Sequence, residues 1–341
     1  MSAVLGYLLA AVLGPYALPA SVALPLNGLR LPHASANIAA ALRYRPRSFS
    51  PQHIYVADPG SEAILRYPLT HGLPSVTPDL TIGGVAPTFL GIDGAGEIFS
   101  ASNDPSSGQC SIDVFDANGN HLRSILLGYS VGAVGVDSQG YLCTVVGQYG
   151  SVIFAYAPGT SGYYPSPVAS LMSQDKFFGV TPGPLGRLFA VALFTIDVFE
   201  HPTKDSKAPS WQISRPSQFF SFEGPATFDE RGWLYAAESP LGIYSNWQSE
   251  EFDVIHPLRG SHRQDRLIMA RDCWNFSSEP SQPHNPGTIT GMTVSQGYLE
   301  DACVGATPPT VYVYHADRYH KQHVVEVLQG AKDPTDVKVG P

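Results

Sequence analysis

Apolar residues recur along this chain in short alternating runs of roughly five positions, each closed by a turn containing Gly, Asp or Pro, which is the pattern of β-strands and tight connections. One unit is repeated. It reads Gly91-Ile92-Asp93-Gly94-Ala95-Gly96-Glu97-Ile98-Phe99, then Gly135-Val136-Asp137-Ser138-Gln139-Gly140-Tyr141-Leu142-Cys143, then Thr227-Phe228-Asp229-Glu230-Arg231-Gly232-Trp233-Leu234-Tyr235. A strand, a Gly turn and a second strand recurring about every 45 residues describe a blade of a β-propeller, because one small sheet buries both faces only between neighbouring blades.

Each unit divides into four strands, A innermost to D at the rim. In the second unit, A spans 88–92, B 97–101, C 112–115 and D 121–127. The third begins at Val131, has C at 152–156 and leaves through a Pro-rich exit to Leu171. The fourth begins at Phe177 with B at 187–191, C at 196–199 and D at 211–213. The fifth begins near Pro225 with B at 233–237, and its Phe252-Asp253-Val254-Ile255 echoes Ile196-Asp197-Val198-Phe199. The sixth has strands at 290–294, 298–302, 311–314 and 323–328. At the N-terminal end, 53–58, 63–67 and 79–82 supply B, C and D without an A. The segment 333–339 matches the entry into the second unit at Ala86-Pro87-Thr88. The expectation is an all-β, six-bladed propeller with four-stranded antiparallel blades, its ring closed by the C-terminal strand pairing with the first blade.

Composition narrows the function classes. The 341 residues include 33 Gly and 30 Pro, only 14% are charged, and the net charge is −9. Long helices are not expected. With no Lys/Arg cluster there is no footprint for a phosphate backbone, so nucleic acid is excluded as the expected partner. Residues 3–14 form an apolar run of signal-peptide length, and Ser21-Val22-Ala23 offers small residues for cleavage, although no Lys or Arg occurs in residues 1–29. Gly14, Pro15 and Pro19 interrupt the run before the ~20 apolar residues of a membrane span. The expected organisation is a signal peptide over 1–23, a lead-in over 24–50 and one propeller domain over 51–341, secreted, periplasmic or held in the cell envelope, as a monomer without a stable membrane span.

The Gly-Ile-Asp-x-x-Gly-x-Ile-Phe unit at 91–99 and Ile112-Asp113-Val114-Phe115-Asp116 with Gly119 resemble NHL-type repeats of exported bacterial six-bladed propellers. More distantly they are similar to the regucalcin and gluconolactonase family. The resemblance covers about residues 50–341 and implies the fold. In the metal-dependent lactonases of that family, carboxylate and amide groups at the channel mouth hold a divalent cation. This chain has no full set matching position for position.

Candidate chemistry is dispersed. Asp93, Asp137 and Asp229 stand in A-to-B turns, where Asp accepts local backbone hydrogen bonds. Asp113, Asp197 and Asp253 read as outward positions of strand C. Residues entering strand A, namely Asp175, Lys176, Glu223, His284, Asn285, Asp333 and Asp336, could converge on the axis. Among them Glu223, Asp336 and Asp175 are the metal-ligand candidates, for Ca²⁺ or Mg²⁺. Glu300 stands in the strand B column held by Tyr55, Phe99, Phe189 and Tyr235; the two explanations are a buried carboxylate with a partner and a local strand slip, and the slip is the favoured one.

The long connections 103–109, 239–251 and 271–286 decorate one face. They carry Trp247, Trp274, His284 and Asn285 as ligand-binding candidates. Cys110, Cys143, Cys273 and Cys303 have no metal or redox spacing. A bridge between Cys273 and Cys303 fits an exported protein, and Cys143 reads as a buried thiol. No Gly-x-Ser-x-Gly elbow, His-Glu-x-x-His or phosphate-binding Gly loop occurs, and no catalytic residue is assigned. The first reading is a non-catalytic binding or scaffold module with a carbohydrate, peptide or protein partner on the loop-rich face, without a cofactor. The alternative is a metal-dependent hydrolase or lyase of the lactonase type.

Overall fold

The computed structural model describes residues 52–147, 150–214, 220–230, 232–240, 250–255, 266–270, 288–304, 309–316 and 324–341. Among them the helical elements are two three-residue 3-10 turns, Pro59–Ser61 and Pro184–Gly186, and the rest is strand and connection. The architecture is an all-β propeller. The described strands form six sheets. Five of them begin from an inner strand and proceed outward in chain order by antiparallel neighbours. Those inner strands are Phe89–Ile92, Val131–Val136, Phe177–Pro182, Phe220–Phe228 and Thr288–Ser295.

The remaining sheet joins the two ends of the described chain. Asp336–Gly340 pairs antiparallel with His53–Asp58, in the register His53↔Gly340 to Ala57↔Asp336. His53–Asp58 pairs in turn with Ala63–Thr70, and that strand with Leu80–Gly83. Asp58 secures the approach, its two carboxylate oxygens accepting the N–H groups of Asp333 at 2.7 Å and Lys332 at 2.9 Å.

The alternation of the sequence becomes the packing between sheets. Side chains on the two faces of each sheet enter two different clusters: Ile54, Val56 and Tyr67 meet Val311 and Val313 of the preceding sheet, whereas Tyr55, Ala57 and Ile64 meet Leu90 and Ile98 of the following one. Inner strands touch their successors almost backbone to backbone. A Cβ on Gly135 would lie 3.0 Å from the Val180 carbonyl, and one on Gly179 would lie 3.0 Å from the Gly224 carbonyl. Asp336–Gly340 likewise touches both Thr288–Ser295 and Phe89–Ile92.

Three local readings need correction. The Pro-rich exit of the third unit contains Gly162–Tyr163, which leaves its own sheet and pairs in parallel with His121–Leu127 of the second. Asp197 does not face outward: it is fully buried, and its Oδ1 accepts from Gln212 Nε2 at 2.7 Å and Thr195 Oγ1 at 3.2 Å. Glu300 is not displaced by a slip, because the ladder runs unbroken through Thr293↔Glu300 and Glu300↔Val313. It occupies the Tyr55 and Phe99 column as a buried carboxylate. A charge in an apolar column looks like a register error in sequence, and only the ladder distinguishes the two.

Candidate functional site

A cavity of about 200 Å³ lies among the inner strands, and every one of the six strands contributes to its wall. The ladders identify which wall positions are equivalent. Opposite the strand B column stand Gly91, Gly135, Thr181, Thr227, Thr293 and Lys338. All six line the cavity. Around this level, three successive hydroxyls and one ammonium form a polar arc, and two glycines leave the other side open. Adjacent levels are apolar, with Leu90, Val134 and Val180 on one side and Ile92, Val136 and Val339 on the other.

Lys338 is held in place from behind. Its Nζ donates to Asp336 Oδ1 at 2.6 Å. That carboxylate also accepts the Val337 N–H at 2.8 Å, and its other oxygen accepts the Leu90 N–H of the neighbouring inner strand at 2.8 Å. Burial pushes the Asp336 carboxyl above its ordinary value, and Lys338 pulls in the opposite direction.

Asp93 and Asp137 stand at the turn end of the cavity. Asp93 Oδ1 accepts from the N–H groups of Ala95 at 2.9 Å and Glu97 at 2.8 Å. Asp137 Oδ1 does the same for Gln139 and Tyr141, both at 2.9 Å. Asp229 repeats the bond to Trp233 N–H at 2.8 Å. The turns close on Gly96, Gly140 and Gly232 with φ of 86°, 86° and 79°, a conformation that favours glycine. The turn-forming reading of these aspartates therefore holds, and two of them also edge the cavity.

Burial raises the carboxyl pKa of both Asp93 and Asp137, against the lowering effect of the turn amides. An acid whose folded pKa is raised contributes stability below its ordinary value and loses that contribution as pH rises through the folded value. Asp137→Asn, which keeps the accepting oxygen, should therefore fold like the wild type and lose part of the decline in stability above about pH 4. Asp137→Ala leaves two turn amides without their acceptor and should cost about 1–2 kcal/mol. Urea unfolding from pH 4 to 7 checks both. An Asn variant as damaged as the Ala variant would count against the turn assignment.

Among the described candidates, neither Asp336 nor Asp175 lines this cavity. Asp336 lies behind Lys338, as described. Asp175 sits in the connection before Phe177 and accepts from Thr195 Oγ1 at 3.3 Å. Glu223 lies on the inner strand Phe220–Phe228, with its side chain outside the described part. Trp247, Trp274, His284 and Asn285 lie outside the described residues. Among the described residues, no three His, Cys, Asp or Glu side chains are grouped as metal ligands. Cys110 and Cys143 are buried thiols whose pKa burial pushes up to about 12, which suppresses their reactivity. Cys303 is disulfide-bonded, and Cys273 lies outside the described residues.

The polar arc left a usable signal in the sequence. Counting back five positions from the turn glycines Gly96, Gly140, Gly186 and Gly232 gives Gly91, Gly135, Thr181 and Thr227. Thr293 requires a count of four from Gly297, and Lys338 has no turn glycine after it.

No family model matches the sequence, and no curated protein matches it. Among solved structures the chain is similar to a protein from Lactobacillus plantarum, with TM-score 0.51 and 11% identity over 85% of this chain and 100% of the other. Apo AztD from Citrobacter koseri gives TM-score 0.46 and 12% identity over 86% and 99%. BamB from Moraxella catarrhalis gives 0.42 and 11% over 86% and 90%. At such identities the likeness is one of fold. No helix among the described residues is long and apolar enough to cross a membrane.

Proposed function

We propose that this protein is an exported β-propeller working as a non-catalytic binding module, with its axial cavity as a receptor site for a small molecule. In this reading the six sheets are the blades of one ring, and the pairing of Asp336–Gly340 with His53–Asp58 is its clasp. The observation that carries the proposal is the cavity itself: six inner strands share one space with a polar arc on one side and apolar walls above and below it. Its groups suit recognition better than turnover. Asp93 and Asp137 hold their turns and Lys338 is paired with Asp336, so the charged groups of the cavity are already engaged in fixed hydrogen bonds.

Export is supported by the apolar N-terminal run and by the disulfide at Cys303, since such bonds persist in oxidising compartments. A larger carbohydrate, peptide or protein partner on the opposite, loop-bearing face, through Trp247, Trp274, His284 or Asn285, belongs to the same proposal. The metal-assisted alternative, with Ca²⁺ or Mg²⁺ on Glu223, Asp336 and Asp175, would require Asp336 to exchange its contacts with Leu90, Val337 and Lys338 for an ion.

A thermal-shift screen of small polar molecules tests the receptor reading, because a ligand of the native state raises the apparent melting temperature by mass action. At least one compound should give a saturable rise that disappears in Thr181→Phe, which fills the cavity from its wall. Silence across the screen, or a rise that survives the filled cavity, would sink the reading.

A further inference from the structure

Opposite charges meet along the axis of the cavity at two depths. At the level of the polar arc, Lys338 supplies the one ammonium among the described lining residues. Asp336 accepts one of its protons but is also held by two backbone N–H groups, so the ammonium retains donors for a ligand. The Lys338 side chain is 26% exposed, and Thr293 and Thr227 follow it at the same level on the next two strands.

Two residues farther along the strands, about 7 Å toward the turns, stand Asp93 and Asp137 on adjacent sheets. In each, the two turn amides bind Oδ1, and Oδ2 takes no part in those bonds. Asp93 Oδ2 leans toward the neighbouring turn, 3.4 Å from the position a Cβ on Gly140 would take. One end of the cavity therefore offers an ammonium and hydroxyls, and the other offers two carboxylates.

A simple anion entering this space would meet the two mouth carboxylates, and a simple cation would meet Lys338. A volume of about 200 Å³ is below the ~300–1,000 Å³ of ordinary small-molecule sites, which excludes drug-sized ligands. Resting on the reading of this cavity as a receptor site, we propose that its ligand is a small zwitterion, an amino carboxylate. Its carboxylate meets Lys338 with the hydroxyls of Thr227 and Thr293, and its ammonium meets Asp93 and Asp137. The apolar walls between the two levels receive the methylene groups that separate the charges.

Isothermal titration of the full chain at low salt tests this with glycine, β-alanine and 4-aminobutyrate. Propionate, propylammonium and glycerol serve as probes lacking one or both charges. At least one zwitterion should bind about tenfold or more tightly than any of the three controls, the effect of one added charge-assisted hydrogen bond. Thr227→Val, which preserves shape, and Asp137→Asn, which preserves the turn, should each weaken that zwitterion severalfold while retaining a cooperative thermal transition. Lys338→Met combined with Asp336→Asn should abolish the preference for the zwitterion over propylammonium, without leaving a buried unpaired charge. If a control binds as tightly as every zwitterion, or if these variants leave the zwitterion's affinity unchanged, the ligand assignment is overturned while the receptor reading stands. If no probe binds and the broader screen is also silent, both fail.

Discussion

Removal of residues 331–341 is expected to leave a chain without a cooperative thermal transition near that of the intact protein. The deleted segment contributes the strand beside His53–Asp58, with five paired positions. Val337 and Val339 are 0% and 4% exposed, and burying each contributes roughly 1.5–3 kcal/mol. The deletion also exposes Ile54, Val56 and Leu90, which are now fully buried. It leaves Leu90 N–H without the Asp336 oxygen, and the Asp58 oxygens without the N–H groups of Lys332 and Asp333. Each such loss costs about 1–3 kcal/mol where the group stays buried. Against a total stability of ~5–15 kcal/mol for a domain, the sum is large enough to unfold it. Circular dichroism melting of the truncated protein measures this directly. A wild-type transition would show that the N-terminal and C-terminal strands do not depend on one another.

The second large effect is expected from a single methyl group. Gly291 on the strand Thr288–Ser295 faces the backbone of Asp336–Gly340, and a Cβ there would lie 2.6 Å from Val337 N and also overlap Asp336 Cα. The obstacle is main chain, which cannot rotate aside as a flexible side chain would. Gly291→Ala must therefore separate two sheets along a buried seam or strain both strands. Overpacking of this kind costs ~1–3 kcal/mol and more where backbone must move, so a loss of about 3 kcal/mol is expected. Gly83→Ala is the control, because nothing lies within 4 Å of a Cβ at that position. Urea unfolding of the two variants should separate them by most of that amount. Equal stabilities would contradict the close approach. Because Gly291 and the C-terminal strand share one seam, their effects should not add.

Both predictions depend on features that were legible in part. The strand starts, the Asp–Gly turns at Asp93, Asp137 and Asp229, and the match between the C-terminal segment and the entry to Phe89–Ile92 are local and could be read directly. The polar arc was legible only in part, through the common count from the turn glycines to Gly91, Gly135, Thr181 and Thr227. That Thr293 and Lys338 belong to the same level follows only from the ladders, and irregularities between Phe177 and Gly179, Phe222 and Ala226, and Ile289 and Gly291 upset any count made from the starts of the fourth, fifth and sixth inner strands. An extra residue of this kind displaces every later position relative to the axis. Without the ladders Glu300 looked like a slipped register, and local alternation made the buried Asp197 look exposed.

The sequence by itself determined that this protein is an all-β repeat chain, because strand alternation and turn chemistry act within a few residues and leave their mark wherever they occur. It also determined where the turns fall and which aspartates hold them. Tertiary structure alone decided that Asp336 packs behind Lys338, that Thr293 and Lys338 join Thr181 and Thr227 at one level, and that Gly291 meets the C-terminal strand. Those relations join residues on different sheets, some more than a hundred positions apart, and depend on ladder register and close backbone approach. No local pattern encodes such distances, so the cavity and its charges became visible only when the six inner strands were brought together.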